Sequence, residues 1–123
     1  MVPTAAVTGA GSGIGYETCR QLLVQGWRVF ALDLSPAALA SLMLPSENRA
    51  RLVSIECDVR CEESVTRAFG EIAGAAPALD ALICSAGVLR TASLLSMAPA
   101  DFDQLFAVNT RAHGCARVPP TRC

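Results

Sequence analysis

A glycine-rich stretch near the amino terminus decides the fold, and it reads Thr8-Gly9-Ala10-Gly11-Ser12-Gly13-Ile14-Gly15. A short apolar stretch, 5–8, precedes it, and a segment with helical spacing, 14–25, follows it. Glycine permits the dihedral angles of so tight a turn and leaves the backbone open to a pyrophosphate. The amino terminus of the next helix adds free N–H groups and partial positive charge. A flexible surface loop is the alternative, but the flanking strand and helix favour a phosphate-binding turn.

The rest of the chain alternates strand-like and helix-like segments. Strands are predicted at 5–8, 28–32, 52–57 and 79–85. Helices are predicted at 14–25, 36–42 (capped by Ser35), 62–73 and from Pro99 onward, the last with Phe102, Leu105 and Phe106 on one apolar stripe. This alternation predicts the α/β class with a doubly wound parallel sheet of the NAD(P)-binding, Rossmann-like type. Right-handed crossovers give the strand order 3-2-1-4, with the later strands of a complete sheet missing.

Composition excludes several classes of protein. The chain has 123 residues, 52% of them apolar, and a formal charge of -1, which predicts one compact domain and argues against disorder. The sequence contains no cluster of basic residues, so we expect no nucleic-acid partner. No apolar run approaches the roughly 18 residues of a membrane span, so no membrane partner is expected. The amino terminus carries no export signal, and the cytoplasm is the expected compartment.

The cysteine pattern indicates reduced side chains. The six cysteines are Cys19, Cys57, Cys61, Cys84, Cys115 and Cys123. A disulfide framework requires a secreted chain, and none is indicated. A metal site could be drawn from Cys57, Cys61, His113 and Cys115, but the spacing matches no zinc pattern well. We therefore predict small buried hydrophobes rather than metal ligands.

An acid at the end of the second predicted strand points to a cofactor. Asp33 lies 18 positions after Gly15, where a carboxylate can accept both ribose hydroxyls of adenosine. The same charge would repel a 2′-phosphate, and Ser12 offers no positive charge in compensation. The interpretation is NAD in preference to NADP, and the alternative is a loop or capping aspartate.

The glycine pattern Thr-Gly-x-x-x-Gly-x-Gly resembles that of the short-chain dehydrogenase/reductase family, and the resemblance runs from residue 4 to about 114. It implies the amino-terminal, cofactor-binding half of an NAD(H)-dependent oxidoreductase. Such an enzyme transfers hydride between nicotinamide and a small carbonyl or alcohol substrate. It also implies homo-oligomers for intact relatives.

The resemblance further implies a set of cofactor-binding residues. Asp58 would accept a hydrogen bond from the adenine amino group and Val59 would pack on the ring, although Asp58 could instead be a loop or capping acid. Ala86 and Gly87 match the family's Asn-Asn-Ala-Gly at the end of the fourth strand, whereas Cys84 and Ser85 replace its asparagines. The full predicted set is Gly9, Gly11, Ser12, Gly13, Ile14, Gly15, Asp33, Leu34, Asp58, Val59, Ser85, Ala86 and Gly87.

One catalytic residue of the family has a counterpart. Asn109 matches the helix asparagine of the catalytic tetrad, and its spacing places it on the stripe of Phe102. There its amide must find partners, because burying it unpaired costs about 1–3 kcal/mol. The alternative is an asparagine that ends a helix. The tetrad's serine and Tyr-x-x-x-Lys have no counterpart, since Tyr16 is the only tyrosine and all ten basic residues are arginine.

The final residues depart from the pattern. Two prolines, Pro119 and Pro120, break any continuing helix. We expect a partial dinucleotide-binding domain over 1–114 and an aberrant tail over 115–123, with the natural reading frame lost near residue 114. Two alternatives to an oxidoreductase half stay open. They are a non-catalytic NAD-binding module and an interaction fragment that pairs with a full-length relative.

Overall fold

The computed structural model describes residues 2–42, 44–87, 93 and 95–111. Four parallel strands form one sheet: β1 (Thr4–Thr8), β2 (Arg28–Asp33), β3 (Leu52–Glu56) and β4 (Ala81–Cys84). Their order is β3-β2-β1-β4, as predicted. Thr8 pairs with Leu32 on one side and Cys84 on the other, and Asp33 pairs with Glu56. The carboxyl ends of the strands therefore meet at one edge of the sheet.

Helices connect and cover these strands. They are α1 (Gly13–Val24), α2 (Ser46–Arg49), α3 (Glu62–Ala75) and α4 (Pro99–Phe106), and α4 continues as a π-helical turn over Ala107–Arg111. The side chains divide between the two faces of the sheet, as the alternating pleat requires. Phe30 and Leu32 pack with α3 on one face, whereas Val29 and Ala31 pack with α1 on the other. Burial on both faces explains why β2 is apolar almost throughout.

The segment after β2 differs from the prediction. Pro36–Ser41 forms a 3₁₀ helix rather than an α-helix that continues to residue 42, and α2 follows it without having been predicted. The Ser35 side chain makes no cap; instead the Ser35 N–H donates to the Asp33 carboxylate at 3.0 Å. Leu39 and Leu42 are buried almost completely, so tertiary packing sets this conformation.

The fourth strand is shorter than the predicted 79–85. Before it, the Asp80 side chain accepts a hydrogen bond from the Thr4 N–H at 2.7 Å, in place of a ladder carbonyl. After it, the N–H of Ser85 donates at 3.2 Å to the side-chain hydroxyl of Thr8 in β1. The Asp80 N–H still donates to the Thr4 carbonyl at 2.8 Å, so side-chain bonds supplement the backbone pairing at the first end of the strand and take over at the second.

The apolar stripe predicted on the last helix is not buried. Phe102 and Phe106 are 60% and 54% exposed, whereas Val108 is 7% exposed. The inner face of α4 instead follows the spacing of Gln104 and Val108, one helical turn apart. Asn109 lies outside this inner face and is exposed.

The described cysteines carry free thiols. Cys19 and Cys57 are buried and Cys84 is half-buried, whereas Cys61 is exposed, so the prediction of a buried hydrophobe is wrong for Cys61. Burial raises the pKa of the Cys19 thiol to about 12. In the described ranges no helix has the length and apolar character needed to span a bilayer. The predicted tail, with His113, Cys115 and Cys123, lies outside the described residues.

Candidate cofactor site

The glycine turn lies at the carboxyl edge of the sheet, between β1 and α1. Gly9 and Gly13 adopt φ angles of +67° and +57°, a region that side chains disfavour. A Cβ on Gly9 would lie 2.6 Å from the Cα of Ala86. A Cβ on Gly15 would collide with the carbonyl oxygen of Gly9. Glycine is thus required here for conformation at Gly13, for close packing at Gly15, and for both at Gly9.

The amino terminus of α1 remains open to an anion. Ser12 precedes the helix in an extended conformation, and its hydroxyl makes no capping hydrogen bond. The first amide groups of any helix have no partner within the helix, and they carry the positive end of its dipole. An uncapped glycine-rich start therefore leaves these amide groups available to an anionic ligand.

Asp33 lies directly against the turn. A Cβ on Gly11 would lie 2.5 Å from the Asp33 Oδ2, so the carboxylate packs on the bare Cα of Gly11. The Ala10 N–H donates to the Leu32 carbonyl at 3.1 Å, which ties the turn to the end of β2. The Asp33 carboxylate and the amide groups of the glycine turn were associated in the sequence only by their spacing. In the structure they are neighbours in space.

A second acid follows β3 and is held by an arginine. The Asp58 carboxylate accepts bonds from the Arg60 side chain, Nε to Oδ1 and Nη2 to Oδ2, each at 3.0 Å. These bonds hold the pKa of Asp58 below its usual value. Beneath Asp58, burial raises the pKa of the Cys57 thiol, which the Ser64 hydroxyl contacts. Arg60 was not among the predicted site residues.

The end of β4 is fixed by the β1 threonine. The Thr8 Oγ1 accepts hydrogen bonds from the N–H groups of Ser85 and Ala86 at 3.2 and 3.3 Å. These two bonds fix the end of β4, the segment in which Cys84 and Ser85 replace the two asparagines of the family's pattern. A Cβ on Gly87 would lie 3.4 Å from the Asn109 Oδ1, so Asn109 and the end of β4 meet.

These segments surround one cleft of about 320 Å³. Every predicted cofactor-binding residue lines it except Gly11, which packs under Asp33, and Gly15, which packs behind Gly9. The lining residues that the prediction missed are Cys57, Arg60, Gln104 and Val108. Cys57 and Arg60 flank the predicted Asp58-Val59 pair, a signal that could have been used. Gln104 and Val108 were missed because they lie on the inner face of α4 and its continuation, which the sequence analysis did not predict.

Comparison with known proteins identifies the family. The profile described as short chain dehydrogenase matches residues 3–116. The chain belongs to the short-chain dehydrogenase family. Among curated proteins, it is similar to galactitol 2-dehydrogenase (L-tagatose-forming) of Cereibacter sphaeroides, with 40% identity over 93% of this chain and 47% of that protein. Trihydroxynaphthalene reductase of Colletotrichum orbiculare is 30% identical over 90% of this chain and 40% of that protein.

Solved structures confirm the Rossmann-type fold. A dehydrogenase/reductase from Sinorhizobium meliloti 1021 superposes with a TM-score of 0.83 and 34% identity, over 94% of this chain and 47% of that one. A 3-ketoacyl-(acyl-carrier-protein) reductase from Brucella melitensis, complexed with NADH, superposes with a TM-score of 0.82. It covers 93% of this chain and 47% of that one, and at 22% identity it supports the fold alone. The chain spans about half the length of the curated relatives it matches.

Proposed function

We propose that this chain binds NAD in the cleft at the carboxyl edge of its sheet. It would act as the cofactor-binding half of a short-chain oxidoreductase. The observation that carries the proposal is the packing of the Asp33 carboxylate on Gly11, next to the open amino terminus of α1. An anion-binding amide cluster beside a fixed carboxylate fits the diphosphate and ribose of one dinucleotide.

Each part of the dinucleotide has a counterpart in the cleft. The amide groups of Ser12, Gly13 and Ile14 would bind the diphosphate, because they carry the positive end of α1. Asp33 and Leu34 would hold the adenosine ribose. The adenine ring would lie between Asp58 and Val59. Ser85, Ala86 and Gly87 would line the nicotinamide ribose, whose close approach needs the bare backbone of Gly87.

Charge favours NAD over NADP in this proposal. A 2′-phosphate would bring about two negative charges next to Asp33. Among the residues that the structure describes, the only basic one lining the cleft is Arg60, and its guanidinium is bonded to Asp58. A phosphate at the ribose would therefore meet the Asp33 carboxylate without a cation from these residues in compensation, which disfavours its binding.

The proposed chemistry of the whole protein is hydride transfer between nicotinamide and a small carbonyl or alcohol. Bound nicotinamide supplies the hydride donor or acceptor. Asn109 is the proposed catalytic residue of this chain, since it lies beside Gly87 where the nicotinamide end would be. The two curated relatives act, by their names, on a polyol and on a naphthalene derivative, so the proposed substrate class is broad. We also propose the cytoplasm as the compartment and a homo-oligomer for the whole protein.

A non-catalytic NAD-binding module is the second candidate function. The 123 residues contain no lysine and one tyrosine, Tyr16. Tyr16 lies in α1 and packs against the core rather than lining the cleft. Both candidates require the same cofactor binding and differ in turnover.

Calorimetric titration with NAD and NADP tests the proposal on the wild-type chain and on Asp33→Ala. We expect the variant to lose about tenfold to a hundredfold in affinity for NAD, the effect of losing a hydrogen bond to a charged group. Its affinity for NADP should fall much less, because the repulsion disappears together with the bond. Asp101→Ala, which removes an acid outside the cleft on α4, is the matched control. Equal losses for both dinucleotides would refute the assigned role of Asp33.

A further inference from the structure

Arg60 holds both oxygens of the Asp58 carboxylate. Its Nε and Nη2 donate to Oδ1 and Oδ2 at 3.0 Å each, and its backbone N–H donates to Oδ1 at 3.0 Å as well. A planar guanidinium fork of this kind fixes the plane of the carboxylate as well as its position. One neighbour two residues along the chain therefore determines the orientation of the Asp58 side chain.

The backbone of Asp58 is fixed too. Its N–H donates to the Ser64 hydroxyl at 2.9 Å, and its carbonyl accepts from the Cys61 N–H at 3.0 Å. Ser64 belongs to α3, so the acid is anchored both to its own turn and to a long helix. The side chain cannot turn toward another partner without breaking several of these bonds.

The bonds leave a single direction open on Asp58. A carboxylate has about four acceptor positions, two on each oxygen. Among the bonds of the described residues, Oδ1 accepts two and Oδ2 accepts one. One acceptor position, on Oδ2, is therefore left for a donor from the cleft that Asp58 lines.

Arg60 also occupies a boundary in the molecule. It lines the cofactor cleft, and it lines a neighbouring cavity of about 440 Å³ together with Phe102 and Phe106 of α4. Together with Gln104 it lies between the two spaces, on the side of the cleft that Asp58 and Val59 line. It is placed to orient Asp58 and to border whatever group Asp58 binds.

We propose that Arg60 is a positioning residue that makes Asp58 a single, directed acceptor, and that this selects a purine with an amino group at carbon 6. Adenine presents an N–H donor at that position, whereas hypoxanthine presents a carbonyl oxygen that a carboxylate repels. Without the fork, the carboxylate would be free to turn and hydrate, and binding would have to order it again. This inference rests on the proposed function, since it concerns the base of the same dinucleotide.

Calorimetry with NAD and nicotinamide hypoxanthine dinucleotide tests the inference on the full chain. The wild-type protein should prefer NAD by about tenfold to a hundredfold, the effect of one hydrogen bond to a charged acceptor. Arg60→Met should reduce this ratio to a few-fold. Arg60→Lys keeps the charge but cannot form the fork, so its ratio should fall as well, and it serves if the methionine variant fails to fold. A purely structural role would lower both affinities together and leave the ratio unchanged.

Arg20→Met is the matched control. Arg20 makes the same two-bond fork to Glu17 on the exposed side of α1, at 2.9 and 2.6 Å, away from the cleft. In Arg20→Met the affinity for NAD relative to nicotinamide hypoxanthine dinucleotide should equal that of the wild type. A wild-type ratio in both Arg60 variants would overturn the inference and leave the proposed function standing. Failure of the wild-type chain to bind either dinucleotide would overturn the proposed function, and the inference with it.

Discussion

Glycines of one turn are required for different physical reasons. At Gly15 the φ angle is ordinary, but an added methyl group would meet the carbonyl oxygen of Gly9 and approach the Ser85 Oγ to 3.1 Å. At Gly13 the surrounding space is open, but the φ angle of +57° is strained for any side chain. The first case is a packing requirement inside the fold, and the second is a property of the residue alone.

Alanine substitution should separate these two requirements. We expect Gly15→Ala to lower the free energy of unfolding by about 1–3 kcal/mol, because backbone atoms must move to admit the methyl group. Gly13→Ala should lower it by about 1–2 kcal/mol through dihedral strain. Only the first should also displace the end of β4 and weaken NAD binding through that displacement. Urea unfolding and calorimetry measure both quantities. A Gly15→Ala protein as stable as wild type would contradict the packing described here.

Single site residues can be predicted from the sequence when their role depends only on their position in the chain. The glycines and Asp33 follow from a strand, a turn and a spacing, so they could be named from the sequence alone. The position of Arg60 beside the Asp58-Val59 pair could have indicated a residue that lines the cleft, but its fork to Asp58 could not be predicted, because it depends on the conformation of the turn that joins β3 to α3. The exposure of Phe102 escaped prediction too, since apolar spacing does not reveal which face of a short helix finds a partner.

At the scale of elements, α3 is the segment that its own sequence specifies best. Val65, Phe69 and Ile72 are all buried and recur at helical spacing. The segment at Pro36–Ser41 is the opposite case. Arg49, from the following helix, donates to the carbonyls of Ala40 and Leu42, which lie at the end of the segment and would lack a partner at the end of an α-helix as well. Local propensity predicts the first element and misses the second, because tertiary packing decides it.

Two glycines inside α3 are positions where an alanine should stabilise the protein. Gly70 and Gly74 lie on its exposed side, and an added Cβ would meet nothing within 4 Å at either position. We expect Gly70→Ala and Gly74→Ala each to raise the free energy of unfolding by up to about 1 kcal/mol, the difference in helix propensity. The urea midpoint of each single variant and of the pair measures this. Unchanged or lower midpoints would contradict the expected gain from helix propensity.

At the scale of the whole molecule, topology was predictable because chirality leaves few choices. Four parallel strands joined by right-handed crossovers, with the turn after the first strand at the ligand edge, give the observed order. The same rule brings the ends of β1, β2, β3 and β4 to one cleft. The predicted cofactor-binding residues are scattered along the sequence, yet most of them line one cleft because they follow the carboxyl ends of parallel strands.

Turnover by the 123 residues on their own distinguishes the two proposed functions. No lysine is present to lower a tyrosine pKa, and Tyr16 packs on the core. We expect no change in absorbance at the nicotinamide wavelength with NAD and a polyol, or with NADH and a carbonyl compound. Protein concentrations should match those at which calorimetry detects binding. Turnover that scales with protein concentration and disappears in Asp33→Ala would contradict this expectation.

The central claim is that amide groups at the start of α1 bind a diphosphate while Asp33 holds the adjoining ribose. Backbone amide chemical shifts of the isotope-labelled chain, titrated with ADP-ribose, test it most directly. We expect the largest shifts on residues 11–15, 33–34 and 58–59, with saturation at one equivalent. Shifts centred on α4 or on the outer face of α1, or no shifts at millimolar ligand, would contradict it.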